Sequence, residues 1–368
     1  MPWYSIQNIN TLDSPSLVVY PKCVTENIRR MVSMIDDVSR LRPHIKTHKT
    51  AEGIQLMLAA GISKFKCATI AEAELLGLCN APDVVLAYQP QGPKVERFIN
   101  VIKTFPGTKY ACLTDNQASA ERMAAAFSAN DLIVPVYIDL NVGMNRSGII
   151  PGNTVVELYR FCSSLKGIVP KGLHAYDGHH RNPDIAQRTI DCDKGFEAVL
   201  TLQKRIAEAG LPLPVIIAGG SPTFPIHARR PVVECSPGTC IFWDKGYSDL
   251  CPEQPFEPAV VLVTRVISLP TETRICLDLG HKSVAAENDI TRRVFFPEAQ
   301  ELIPVGQSEE HLVMEAPAGH SFKPGDLLYG IPYHICPTVA LYERLIAVEN
   351  GEVTGEWKVL ARARRISL

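Results

Sequence analysis

Across the first 250 residues, short runs rich in apolar and β-branched side chains alternate with longer stretches whose apolar positions recur at helical spacing. Residues 14–20 read as a strand and 23–38 as a helix. Candidate strands then fall at 42–46, 65–69, 84–88, 109–114, 134–139, 172–176, 215–218 and 232–235. Between them lie segments long enough for one helix each, such as 71–79, 94–103, 116–126, 154–165 and 186–209. Eight strands joined by helical crossovers predict an α/β fold with an N-terminal (β/α)8 barrel of the TIM type. An open doubly wound sheet carries the same alternation. The barrel is favoured because Lys46, Tyr88, Gln89, Asp139, Tyr176, Asp177, Gly219, Gly220, Ser221 and Glu234 fall at or just past the C-terminal ends of candidate strands. In a barrel those ends converge on one mouth.

Past residue 250 the pattern changes. Residues 258–268, 274–282, 311–316 and 343–349 read as strands separated by short turns at Pro270, Gly280, Pro304, Pro324 with Gly325, and Asn350 with Gly351. This predicts a C-terminal β-rich domain. The expected division is a barrel over residues 12–250 and a β domain over 251–368, with residues 1–11 packed on the latter.

Residues 41–49, Leu-Arg-Pro-His-Ile-Lys-Thr-His-Lys, concentrate cations and imidazoles. On a strand, Arg42, His44 and Lys46 share one face, with Pro43 and Ile45 on the other. A lysine held among cations has its ammonium form destabilised, and the free amine that results can attack a carbonyl to form a Schiff base.

Gly219, Gly220, Ser221, Pro222 and Thr223 follow an apolar strand, where glycine amides and hydroxyls together suit a phosphate. Ser236, Pro237, Gly238, Thr239 and Cys240 form a similar element one unit later, and phosphate sites after the seventh and eighth strands recur in β/α barrels. Each glycine run reads equally as a tight turn. Arg146 lies in a loop bracketed by Gly143 and Gly148, either as a surface residue or as a partner for an anionic ring oxygen. His174 and Tyr176 share a strand face, while His179 and His180 lie in the loop beyond as candidates for acid or base. His334 and Cys336, at i and i+2, share a face if extended and offer imidazole and thiolate to a divalent metal with open positions; an isolated His-x-Cys also arises by chance.

Composition narrows the partners rather than the fold. A chain of 368 residues exceeds what one core usually serves, so two domains are expected. A net charge of -2 gives no reason to expect nucleic acid. No apolar run reaches the roughly 20 residues of a membrane span, and the opening Met1 to Ser5 lacks a basic, apolar leader. Eleven scattered cysteines read as reduced thiols. The expected location is the cytoplasm.

With residues 42–49, 139–148, 219–223, 236–239 and 334–338 assembled, the chain resembles the fold-type III pyridoxal phosphate enzymes nearly end to end. Within them it is similar to the D-threonine aldolase and D-serine dehydratase branch related to alanine racemase. The resemblance implies that Lys46 holds pyridoxal 5'-phosphate, with Arg146 near the ring hydroxyl, Tyr176 near the ring, and Gly220, Ser221, Gly238 and Thr239 around the phosphate. By their place in the pattern, His44 on the inward face beside Lys46 and Gly219 in the same glycine loop are further cofactor-binding candidates. Cys240 stands where that family often has tyrosine. The resemblance also implies that His334 and Cys336 bind Zn or Mn against the substrate's β-hydroxyl, in a homodimer. The expected activity is a lyase cleaving D-3-hydroxy amino acids to glycine and an aldehyde. The alternatives are a D-serine or 3-hydroxyaspartate dehydratase, an amino-acid racemase, and a non-catalytic pyridoxal phosphate carrier.

Overall fold

The computed structural model describes residues 2–368, so Met1 of the opening segment lies outside it. By compactness the chain divides into two interleaved units. One comprises the segments up to Arg30, Thr47–Gly53 and Thr239–Arg362; the other comprises Met31–Lys46, Ile54–Gly238 and Ala363–Leu368. The first strand, β1 (Ser16–Val19), belongs to the first of these units.

The next seven strands form the parallel sheet of the second unit, each pairing with the next in chain order. They are β2 (Lys64–Cys67), β3 (Asp83–Leu86), β4 (Lys109–Thr114), β5 (Val134–Asp139), β6 (Ile168–Ala175), β7 (Val215–Ala218) and β8 (Val233–Cys235). Helical crossovers such as Ile70–Leu78, Pro93–Thr104, Gln117–Ser128, Asn153–Ser164 and Ile185–Glu208 separate them, as the spacing predicts. Several helices start on side-chain caps: Thr69 accepts from the Glu72 N–H, Asn116 from Ser119 and Asp184 from Ala186. The sheet curls on itself. Val85 of β3, Ala111 and Leu113 of β4 and Tyr137 of β5 share one buried cluster with Ile217 of β7, which is not a sheet neighbour of β3.

Residues 42–46, the expected first barrel strand, form no regular strand. Leu41 and His44 instead make isolated parallel bridges to Cys235 and Lys66. The N–H groups of Arg42 and His44 donate to the carbonyls of Cys235 and Pro237, both at 2.8 Å, and Ile45 donates to Lys66 at 3.0 Å. The segment therefore lies between β8 and β2 and closes the ring at the eighth position. Pro43 offers no N–H and cannot continue a ladder, which breaks regular pairing there.

Arg42 and Glu234 also depart from expectation. Arg42 is fully buried, with Nε 2.7 Å from Glu234 Oε2 and Nη1 2.6 Å from Asp83 Oδ1; Lys64 Nζ lies 2.5 Å from Glu234 Oε1. Asp83 and Lys64 begin their strands, so this cluster forms the barrel floor rather than its mouth.

The other unit holds a mixed sheet of nine strands: β1, β9 (Val260–Thr271), β10 (Arg274–Leu277), β11 (Val294–Phe295), β12 (Ile303–Gln307), β13 (Leu312–Glu315), β14 (Leu327–Pro332), β15 (Arg344–Glu349) and β16 (Glu352–Lys358). Central β9 pairs antiparallel with β1, β10 and β14. β1 inserts between β9 and β15 because Leu17, Val18 and Val19 are buried on both faces, as a central strand requires. Tyr4, Ile6, Val18, Tyr20, Val261, Val263 and Val348 form its core cluster. No described helix is long and apolar enough to cross a membrane.

Candidate functional site

The strand ends of the barrel unit gather most of the expected residues. Lys46 sits half-buried in the turn after the closing segment, and its backbone N–H donates to His44 Nδ1 at 3.2 Å. His44 is buried and anchored by its own N–H to the Pro237 carbonyl, in the loop after β8.

A second lysine, absent from the sequence-based candidates, lies in the same mouth. Lys66 on β2 is 2% exposed, its Nζ 3.4 Å from His174 Nε2 and 5.6 Å from the centre of the Tyr176 ring. His174 Nδ1 lies 2.7 Å from Asp139 Oδ1, and Ser147 Oγ donates to Asp139 Oδ2 at 2.8 Å. Burial, and then the charge of Lys46, push the Lys66 amine down to about 7; Asp139 opposes this and Arg146 adds to it. Burial and Lys66 likewise lower His174. A neutral His174 that donates from Nδ1 to Asp139 presents the Nε2 lone pair to Lys66. Arg146 is exposed, yet its guanidinium carbon lies 4.8 Å from the Tyr176 ring centre. Lys64 and Lys66 alternate with Phe65 and Cys67, a signal for one charged face, but the pattern does not say whether that face lies inside a ring or outside.

The two glycine loops are joined. The Gly238 N–H donates to Ser221 Oγ at 3.2 Å. Gly219 has φ +84°, and a side chain there would also meet His227. Gly220 N donates to Thr223 Oγ1 at 3.1 Å, and Thr223 donates to Asp177 Oδ1 at 2.7 Å. Asp177 Oδ2 lies 2.8 Å from His227 Nε2, and Cys192 Sγ is 3.5 Å from each of these atoms. Burial disfavours the Asp177 carboxylate, but His227 and Thr223 outweigh it and hold the group at about 2.

His179 and His180 stack on each other, ring centres 4.0 Å apart. His179 packs against Gly143, whose hypothetical Cβ would lie 2.7 Å from its Nε2. His180 is lowered by burial and by His179, and lines a small cavity with Asp177, Cys192 and His227.

In the β-rich unit, His334 and Cys336 converge, though not as an extended pair. His334 is the N-cap of the helix Ile335–Leu341, and Cys336 lies in its first turn. The imidazole hydrogen-bonds both the Cys336 thiol and Glu287; burial opposes its charged form, but these partners and Asp244 hold it up to about 9. Cys336 Sγ is 3.1 Å from Thr47 Oγ1 and 3.7 Å from Thr239 Oγ1. Thr239 thus turns its hydroxyl toward the thiol, and Cys240 is buried. Imidazole, thiol and carboxylate suit a divalent transition metal. Glu287 and Thr47 carried no sequence signal, since their proximity is set by the fold.

The family model described as "Alanine racemase, N-terminal domain" matches residues 21–245, and the one described as "Putative serine dehydratase domain" matches residues 259–348. A D-threonine aldolase from an Arthrobacter species is 26% identical over 359 residues, covering 95% of this chain and 93% of that protein. A D-threo-3-hydroxyaspartate dehydratase from a Delftia species is 22% identical over 377 residues, covering 95% and 98%. The crystal structure of D-threonine aldolase from Filomicrobium marinum has the same fold, with a TM-score of 0.87 at 22% identity over 95% of each chain.

Proposed function

Because this chain belongs to the alanine racemase N-terminal domain family, we propose that it is a pyridoxal phosphate- and divalent metal-dependent lyase of the D-threonine aldolase type. Its substrates are D-3-hydroxy amino acids, cleaved to glycine and an aldehyde. The observation that carries the lyase reading is the convergence of His334 and Cys336 at one helix start, a metal-ligand pair that a racemase does not need and a β-hydroxyl lyase does. The match to a serine dehydratase-type domain over the same region supports it.

The barrel residues fit the cofactor by their donor set. Lys46 holds it through its amine, Ser221, Gly220 and Gly238 hold its phosphate, and Arg146 and Tyr176 flank its ring. Ser221 suits that task because its buried hydroxyl sits where the two glycine loops meet, tied to the Gly238 N–H. When bound, pyridoxal phosphate supplies an electron sink for a bond broken at the substrate Cα. His334 and Cys336 hold a zinc or manganese ion, which supplies Lewis acidity toward a hydroxyl oxygen. His44 orients the Lys46 backbone, and His179 or His180 serves as a proton carrier. The functional division remains residues 12–250 for the cofactor and 251–368 for the metal, in a cytoplasmic homodimer.

The Delftia relative favours a second reading, a dehydratase releasing a 2-oxo acid and ammonia. Incubating the purified protein with D-threonine, D-serine and D-threo-3-hydroxyaspartate separates the two. Glycine with an aldehyde supports the aldolase; 2-oxo acid with ammonia supports the dehydratase. Activity that a chelator leaves untouched defeats both. Loss of cofactor absorbance in Lys46→Ala, and loss of bound metal in Cys336→Ala, check the assignments without relying on turnover.

A further inference from the structure

Lys66 has no part in the reading above. Its Nζ is buried, its hydrogen-bond partner is the His174 imidazole, and no carboxylate among the described residues stands within ion-pairing distance. The carboxylates that influence it are already engaged: Asp139 by His174 and Ser147, Asp177 by His227 and Thr223. Lys46 and Arg146 add two cations, and the Tyr176 ring offers its face at 5.6 Å. This surrounding disfavours the ammonium form, and an anion arriving beside it reverses the balance.

We infer that Lys66 is an anion-binding positioning residue that takes up a proton when an anionic oxygen enters beside Tyr176. That oxygen is the ring hydroxylate of a pyridine-type cofactor or the carboxylate of an amino-acid substrate, and the inference rests on the cofactor reading proposed above. The amine lone pair takes a proton from solvent and becomes an ammonium with three donors. One donor stays on the Nε2 lone pair of His174, which is fixed as acceptor because Nδ1 donates to Asp139. The others are free for the incoming oxygen. The Asp139 and His174 pair therefore aims Lys66, and ligand charge switches it on.

The test is calorimetric binding to the full-length protein, freed of cofactor, at about pH 8, where an amine titrating near 7 is mostly neutral. Repeating the titration in buffers of different ionisation enthalpy counts the protons exchanged. The probes are pyridoxine 5'-phosphate, which has the ring oxygen and phosphate but cannot bond to Lys46, N-(5'-phosphopyridoxyl)-D-alanine, which adds the carboxylate, and inorganic phosphate as control. Wild type should take up close to one proton with the D-alanine adduct, which carries both oxygens, and none with inorganic phosphate.

Lys66→Met should lose that uptake and bind about tenfold more weakly, the loss of one charge-assisted hydrogen bond. Lys66→Arg, which is permanently charged, should keep affinity without the uptake. Circular dichroism and the inorganic phosphate titration check that each variant is folded. Uptake with pyridoxine 5'-phosphate assigns the ring oxygen, and uptake seen only with the D-alanine adduct assigns the carboxylate. Equal proton uptake and affinity in wild type and Lys66→Met overturn the inference while leaving the cofactor reading intact. Failure of both organic probes to bind wild type overturns the cofactor reading and this inference with it.

Discussion

Asp177 Oδ2 and His227 Nε2 meet at 2.8 Å in the buried interior of the barrel unit. Arg230 Nη1 donates to His227 Nδ1 at 2.7 Å, so the imidazole proton sits on Nε2 and points at the carboxylate. The other carboxylate oxygen takes the Thr223 hydroxyl, which in turn accepts from the Gly220 N–H. The glycine loop thus hangs from one buried carboxylate. Asp177→Ala leaves an N–H and an O–H without an acceptor and should cost on the order of 2 to 5 kcal/mol in urea unfolding. Because the native carboxyl is held at about 2, below the ordinary 3.8, its contribution is present above 3.8 and is lost as pH falls through about 2. Asp177→Asn should flatten that part of the acid-unfolding curve.

The floor cluster predicts a different outcome. Arg42 is fully buried and divides its guanidinium between Glu234 and Asp83. Glu234→Ala strips one partner from a charge that cannot reach water, at a cost of roughly 3 to 5 kcal/mol. Since the cluster lies at the strand starts, the folded fraction of this variant should bind cofactor as the wild type does. A matching loss of cofactor affinity per folded molecule would contradict the placement.

Tyr176 folds back over Gly178, whose hypothetical Cβ would lie 2.1 Å from the phenol oxygen. That phenol is the tip of a side chain, so Gly178→Ala should displace the ring and leave the barrel standing. The expected result is a small change in thermal midpoint with a clear loss of cofactor affinity. A large stability loss with affinity unchanged would show that the ring is a packing element instead.

Lys66 couples stability to pH in the same direction as Asp177, but in a more alkaline window and as a penalty that is relieved rather than a contribution that is gained. Its amine binds fewer protons folded than unfolded between about 7 and the ordinary 10.5, so ligand-free stability rises with pH across that window and the penalty is full below it. Lys66→Met removes the penalty. It should stabilise the ligand-free protein by up to a few kcal/mol near pH 6, with the advantage shrinking as pH approaches 10.5. A variant whose stability difference is flat with pH would count against the buried amine.

Much of this was legible in the residue order. The strands at 109–114, 134–139 and 215–218 coincide with β4, β5 and β7, because short apolar runs between helical segments leave few alternatives. The glycine runs at 219–220 and 238 do fall in loops just past strand ends, as expected. The expected strand at 42–46 failed for a local reason, Pro43, whose missing N–H a charge pattern does not reveal.

By itself, then, the sequence determined the period of the elements, the two kinds of sheet and the chemical inventory of amine, glycine loops, imidazole and thiol. Only the tertiary structure decided which charges face each other. Arg42 and Lys46 are four residues apart, yet one is committed to the floor and the other emerges at the turn beyond the closing segment. Lys66 reads as an ordinary alternating strand residue until ring closure turns its face inward, removes it from water and sets His174 and Asp139 behind it. Periodicity fixes which side chains share a face; burial and partners, which set pKa and reactivity, come from residues far apart in the chain.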